Sequence, residues 1–114
     1  MAYQKERFAS YLEQKVSEFF LREGRKVLPA EAFISVTRVI PNESGDEAEI
    51  FVLIFPERLS REIFKEVRHM GSAARKFLAD KIKRRKIPNI VFKLDNAQER
   101  EVRLEKLLEK VKNE

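Results

Sequence analysis

Between residues 3 and 23 the apolar side chains Phe8, Leu12, Val16, Phe19 and Phe20 recur at spacings of three and four, with Gln4, Lys5, Glu13, Gln14 and Glu18 on the opposite side. That period predicts an amphipathic helix. Gly24 is placed to end it in a left-handed turn, and Val27 to Ala32, with Pro29 inside, form a linker. The period then drops to two. Phe33 to Ile40 reads as a strand, with Ile34, Val36 and Ile40 facing one way and Ser35 and Thr37 the other. The turn formers from Pro41 to Asp46 predict an antiparallel return along Glu47 to Pro56. In that second strand Ala48, Ile50, Val52 and Ile54 make one face, but Phe51, Leu53 and Phe55 make the other apolar too. The simple account is a central strand with cover on its second face; the functional account is a hydrophobic docking patch.

Helical spacing resumes at Leu59, Ile63, Phe64 and Val67, and again at Ala74, Phe77, Leu78 and Ile82. Between the two patterns lies Gly71-Ser72, where backbone freedom lets one helix end and another begin. Ser60 and Ser72 are placed as N-caps. On a helix begun near Ser72, positions 77, 78, 81/82 and 85 form the inward stripe, leaving Arg75, Lys76, Lys83 and Arg84 outward. Ile90, Phe92 and Leu94 alternate with Val91, Lys93 and Asp95 as a third strand, introduced by Pro88. Ala97 to Lys112 predicts a last helix with Leu104, Leu107, Leu108 and Val111 as its stripe and Asp95 or Asn96 as its cap. The economical way to bury these stripes is an α+β fold, a three-stranded sheet with helices on one face. The helix pair supplies a crossover between the second and third strands, so the sheet is expected to be mixed.

At 114 residues this amounts to one domain with a modest core, in which nine Phe supply bulk without any Trp. The absence of cysteine removes disulfides, thiolate metal sites and a cysteine nucleophile, and fits a reducing cytoplasm. Met1 to Arg7 is polar and no apolar run approaches about eighteen residues, so neither a signal peptide nor a membrane span is expected.

Charge changes the picture more than composition does. Residues 61–93 hold eleven Lys and Arg against three acids, a balance of +8, in a chain whose total is +5. Arg75, Lys76, Lys81, Lys83, Arg84, Arg85 and Lys86 fall within twelve residues. A solvated basic helix end would offset the C-terminal dipole, but five basic residues in the six from Lys81 to Lys86 exceed what that needs. The run instead suits a polyanion, with Arg gripping phosphate bidentately and Lys acting as a point charge. Arg68 on the first helix of the pair, and Arg22, Arg25 and Lys26 at the end of the opening helix, are second-rank candidates; dipole capping explains the last three equally well. An aromatic base-stacking platform of the RNA-recognition-motif kind is not visible in the pattern.

Catalytic sets are missing. His69 is the sole histidine, which leaves no triad, metal pair or proton relay built on two, and it suits the end of the first helix of the pair. Three glycines cannot make a Walker cradle or a dinucleotide fingerprint. The carboxylates lie among lysines at helical spacing, as surface ion pairs do. No enzymatic activity, metal or cofactor is expected.

Arg75, the basic run, Ile87-Pro88-Asn89-Ile90-Val91-Phe92 and Asp95-Asn96, followed by a helix with Leu107-Leu108, resemble the end of the bacterial ribosome-binding factor A family. The Pro-x-(Leu/Ile)-x-Phe-x-x-Asp block is the most specific part; the earlier half matches in layout, so the similarity covers nearly the whole chain. The family breaks its helix pair at an Ala-x-Gly and lacks the KH Gly-x-x-Gly loop; here Met70-Gly71-Ser72 sets the glycine one position away. The resemblance implies a type II KH-like domain over residues 1–114, with 97–112 as a C-terminal helical extension. It also implies a factor for small-subunit (30S) assembly that contacts 16S ribosomal RNA near the neck and aids late processing of its 5′ end. A monomer when free, with no membrane partner, is expected. A protein adaptor docking through Phe51, Leu53 and Phe55 is the alternative, distinguished by weak dependence on salt.

Overall fold

The computed structural model describes residues 2–82, 86–95, 104 and 107–111. Helix α1 (Ala2–Arg22) presents Leu12, Val16, Phe19 and Phe20 inward, all buried, with Phe8 packed beside them. It runs on through Glu23 into a 3-10 turn at Gly24–Lys26. Gly24 does not adopt the left-handed conformation anticipated for it: among the described glycines only Gly45 has positive φ, at 76°. Gly24 is instead buried against the Phe20 ring.

Strands β1 (Phe33–Pro41) and β2 (Glu47–Phe55) form the expected antiparallel hairpin. The Asn42 amide donates to the Glu47 carbonyl at 2.8 Å, the Glu47 amide donates to Asn42 Oδ1 at 3.1 Å, and Gly45 takes the positive-φ position of the turn. One feature of β1 departs from simple alternation. The register shifts between Val36 and Arg38, so Thr37 is an extra residue, a β-bulge. Beyond it the inward set changes parity: Val39 packs on the core and Pro41 is buried, while Ile40, expected inside, is exposed. Thr37 Oγ1 lies 3.3 Å from the Phe51 carbonyl and 3.0 Å from Asp95 Oδ2, which anchors the bulge to the neighbouring strand and to the segment that follows Leu94. The start of the last helix, which Asp95 or Asn96 was expected to cap, lies outside the described residues.

β2 is the middle strand, as its two apolar faces suggest. β3 (Asn89–Leu94) pairs with it in parallel, giving a mixed sheet of order β1-β2-β3. Core residues align across the ladder, with Val39 opposite Ile50 and Ile50 opposite Phe92. On the second face Phe51 is buried beneath the Arg38 guanidinium, 4.4 Å from the ring centroid, and Leu53 is half-buried. Only Phe55 of the suggested docking trio is open, beside its cross-strand partner Phe33.

A 3-10 turn at Glu57–Leu59 leads into α2 (Ser60–Arg68), and α3 (Gly71–Lys81) follows almost at once. α2 buries Ile63 and Val67; α3 buries Ala74 and Leu78. Neither serine caps a helix. Ser60 is already helical and its hydroxyl donates back to the Glu57 carbonyl at 2.8 Å, while Ser72 sits inside the first turn of α3 with Met70 at the cap position. Helices α1, α2 and α3 share one core against one face of the sheet. Leu104 and residues 107–111 are helical, but Leu104, Leu107, Leu108 and Val111 are each more than half exposed, so their stripe is not buried as anticipated. The described contact is polar: Arg61 Nη1 donates to Glu109 across 3.4 Å. This is an α+β domain with the element order and one-sided helical layer expected of a type II KH-like fold.

Candidate nucleic-acid interface

The junction of α2 and α3 brings the exposed cations Arg68, Arg75 and Lys76 together. α2 stops at Arg68; the His69 amide donates to the Glu66 carbonyl at 3.1 Å and the Met70 amide to the Val67 carbonyl at 2.9 Å. Met70 turns into the core, and the Ala74 amide then donates to the Met70 carbonyl at 2.9 Å, starting α3 without an intervening loop. Gly71 makes this possible by lacking a side chain. A Cβ there would stand 2.5 Å from the backbone oxygen of Ile90, so glycine is required for close approach of α3 to β3. The sequence had suggested freedom to turn; the structure uses the missing volume.

Beside that contact lies an open cleft of about 700 Å³ between α3 and the start of β3. Arg68, Arg75 and Lys76 line it, with His69, Ser72 and Asn89 as further polar groups and Ile87 and Ala79 as its apolar part. α3 turns one flank toward it: residues 72, 75 and 79 fall together at 3.6 residues per turn, while 74 and 78 face the sheet. Arg75 Nε donates to the Ile87 carbonyl at 3.2 Å. That bond holds the guanidinium over the cleft and leaves its other N–H groups without a bond among the described residues. Arg68 and Lys76 are exposed and have no acidic partner among the described residues. The arrangement offers converging cationic and neutral donors, with no carboxylate among its lining residues. Such a surface accepts phosphate oxygens.

The other basic residues fall elsewhere. The expected continuous basic helix ends early: α3 stops at Lys81 because Ile82 takes an extended conformation and turns into the core, its amide donating to the Leu78 carbonyl at 2.8 Å. Lys81 lies on the far side of α3 from the cleft, its Nζ 5.6 Å from the centre of the Phe77 ring. Lys83, Arg84 and Arg85 lie outside the described residues. Lys86 is not part of a helix and pairs with Asp46 of the hairpin turn. The Lys86 hydrogen bond, then the Ser44 hydroxyl at 2.7 Å, then the Lys86 charge hold the Asp46 carboxyl below its usual range. At the end of α1, Lys26 pairs with Glu23 at 3.0 Å, whereas Arg22 and Arg25 are exposed; none of the three reaches the cleft. His69, Ser72 and Asn89 were not singled out as contacts from the sequence. Their only signal was proximity to Gly71 and Pro88, the two breaks that bring α3 against β3.

No helix among the described residues is long and apolar enough to cross a membrane. The family model for ribosome-binding factor A matches residues 4–108. A ribosome-binding factor A from Halothermothrix orenii is 30% identical over 109 residues, covering 95% of this chain and 88% of its own. Among solved structures, the crystal structure of ribosome-binding factor A from Thermus thermophilus superposes with a TM-score of 0.63 at 16% identity, covering 79% of this chain and 93% of that one. A Thermus thermophilus ribosome-binding factor A model fitted into a cryo-EM map of its complex with the 30S subunit gives 0.60 at 16% identity, over 77% and 91% of the two chains. With its fold in agreement and nearly its whole length matched, this chain belongs to the ribosome-binding factor A family.

Proposed function

We propose that the protein is a cytoplasmic assembly factor of the small ribosomal subunit. It binds immature 30S particles by seating 16S ribosomal RNA backbone in the cleft between α3 and β3. Family membership and the 30S complex of the Thermus relative support the partner. The observation that carries the site is the convergence of Arg68, Arg75 and Lys76 on a cleft with no acidic lining residue. Lys81, Lys83, Arg84, Arg85 and Lys86 are proposed as further phosphate contacts away from the cleft, and Arg22, Arg25 and Lys26 as a weaker outer field. The domain spans residues 1–114, acts as a monomer when free, and has residues 97–112 as a helical extension.

The mechanism is occupancy. A protein that binds one arrangement of RNA better than another shifts the population toward it and leaves when maturation removes that arrangement. No bond is made or broken. If about three phosphates are engaged, the binding constant falls roughly with the second to third power of salt concentration. Co-sedimentation with immature 30S particles across a salt series tests the reading. Simultaneous Arg68→Ala, Arg75→Ala and Lys76→Ala substitution should abolish sedimentation at moderate salt, and Lys83→Ala, Arg84→Ala and Arg85→Ala together should weaken it, with the thermal melt unchanged in both. Salt-independent binding would instead favour docking through an apolar surface.

A further inference from the structure

The other flank of α3 holds a second hollow, of about 490 Å³, against the end of α1. Its floor is apolar, built from Phe19, Met70, Ala73 and Phe77, with Phe19 and Phe77 in edge contact at 5.7 Å. Its rim carries two carboxylates, Glu23 from beyond α1 and Asp80 from α3, together with Lys26, which is paired to Glu23. The helical period explains the placement: residues 73, 77 and 80 fall on the flank opposite 72, 75 and 79, and Lys76 stands on the crest between them. Lys76 and His69 line both hollows. One hollow is cationic without acids; the other is aromatic, with Glu23 and Asp80 as acceptors beside Lys26, Lys76 and His69. They are joined at a lysine.

That division matches the two halves of a nucleotide. Phosphate seeks converging cations, whereas an unpaired base seeks an apolar or aromatic surface and partners for its Watson–Crick edge. A volume of about 490 Å³ lies within the range of about 300–1,000 Å³ typical of small-ligand sites and has room for a base. Carboxylates accept hydrogen bonds and cannot donate them when ionised, so a carboxylate without a cation partner on this rim favours a base with an exocyclic amine over uracil. Glu23 is engaged by Lys26 at 3.0 Å, while Asp80 makes no hydrogen bond or ion pair among the described residues. Asp80 is therefore the readier acceptor.

We infer that the hollow between α1 and α3 receives an unstacked, amine-bearing base of the same RNA strand whose phosphates cross the α3–β3 cleft, with Lys76 at the crossing. This rests on the RNA-binding function proposed above and adds to it a base-reading position on the opposite side of α3. The chain would then select single-stranded RNA containing an adenine, cytosine or guanine at one position.

The test uses the full chain and single-stranded RNA of about eight nucleotides. One oligomer is all uridine, one has a central adenosine, and one has a central 2-aminopurine. The adenosine oligomer should bind about tenfold tighter than the uridine oligomer, and the 2-aminopurine fluorescence should fall on binding. Ala73→Leu fills the hollow from an exposed position and should remove both the preference and the fluorescence change, leaving the salt-dependent binding of the uridine oligomer intact. Asp80→Ala should reduce the preference while the fluorescence change persists. Salt-dependent binding with equal affinity for both oligomers and unchanged fluorescence would overturn this inference and leave the proposed function standing. Absence of RNA binding at low salt would overturn both. Should Ala73→Leu weaken co-sedimentation with 30S particles while oligomer binding and base preference stay as in the parent, the hollow is a protein-docking site and the inference fails.

Discussion

The α2–α3 junction and the end of α1 both carry clusters of basic residues, yet only the junction concentrates them on a surface without acids. At the junction, Arg68, Arg75 and Lys76 line a cleft without carboxylates, and Arg75 is held in place by a backbone carbonyl. At the end of α1, Lys26 is matched by Glu23 three residues earlier. Comparable pairing recurs at Arg58 with Glu31, Lys86 with Asp46 and Lys93 with Glu49. Exposed pairs of this kind add little to stability. Their consequence is for the field: an anion a few ångströms from a cation cancels much of its attraction for phosphate. Net charge counted along a chain thus overstates the number of cations offered to a partner.

Removing the junction's charge should produce the largest effect. Replacing Arg68, Arg75 and Lys76 together with Ala is expected to weaken RNA binding about a hundredfold at low salt and to flatten the salt dependence by about two to three units of slope, read by fluorescence anisotropy. The matched control, Lys26→Ala with Lys86→Ala, should cost no more than about threefold. Equal losses in the two variants would erase the distinction between open and paired cations.

The geometry beneath the cleft comes next. Gly71→Ala places a methyl group 2.5 Å from the Ile90 oxygen, on a strand held by its pairing with Ala48. The helical preference for alanine, about 1 kcal/mol, works against this clash. Because the obstacle is backbone, a net loss of about 1–2 kcal/mol is expected, visible as a Tm lower by several degrees. Arg75→Lys keeps the charge but loses the Nε donor to Ile87, so a loss of roughly threefold in affinity should accompany an unchanged salt slope.

Smaller effects sharpen the paired side. Glu23→Gln releases Lys26 and should tighten binding to an all-uridine oligomer by about twofold. Asp46 tests the pairing by pH. Its carboxyl is held below the ordinary value of 3.8, so whatever stability it contributes is present above that pH and disappears as pH falls through its depressed value in the folded protein. Wild-type and Asp46→Asn proteins should differ slightly in Tm at neutral pH and converge in acid.

Much of the fold was legible because it is written in local period. Leu12, Val16 and Phe19 mark a helix, Ala48 to Ile54 a strand, and the two short patterns around Gly71 a broken pair, all found where expected. Features decided by contact between distant segments were not legible. The bulge at Thr37 is fixed by Phe51 and Asp95, and it sends Val39 rather than Ile40 inward. Ile82 belongs to the helical stripe by spacing but ends α3 by turning into the core. The basic run from Arg75 to Lys86 was evident; that Lys86 would be met by an aspartate forty positions earlier was not. Phe77 and Asp80 read as core and surface, and only the proximity of α1 gives them a common hollow.

The threefold tether at the start of β3 has a mechanical consequence. Arg75 holds the Ile87 carbonyl, Lys86 is clasped by Asp46, and the Asn89 amide donates to the Asp46 carbonyl at 2.8 Å. The tip of the β1–β2 hairpin, remote in sequence from α3, is thereby coupled to one wall of the cleft. Lengthening that tip is expected to slacken this wall without altering any residue that lines the cleft.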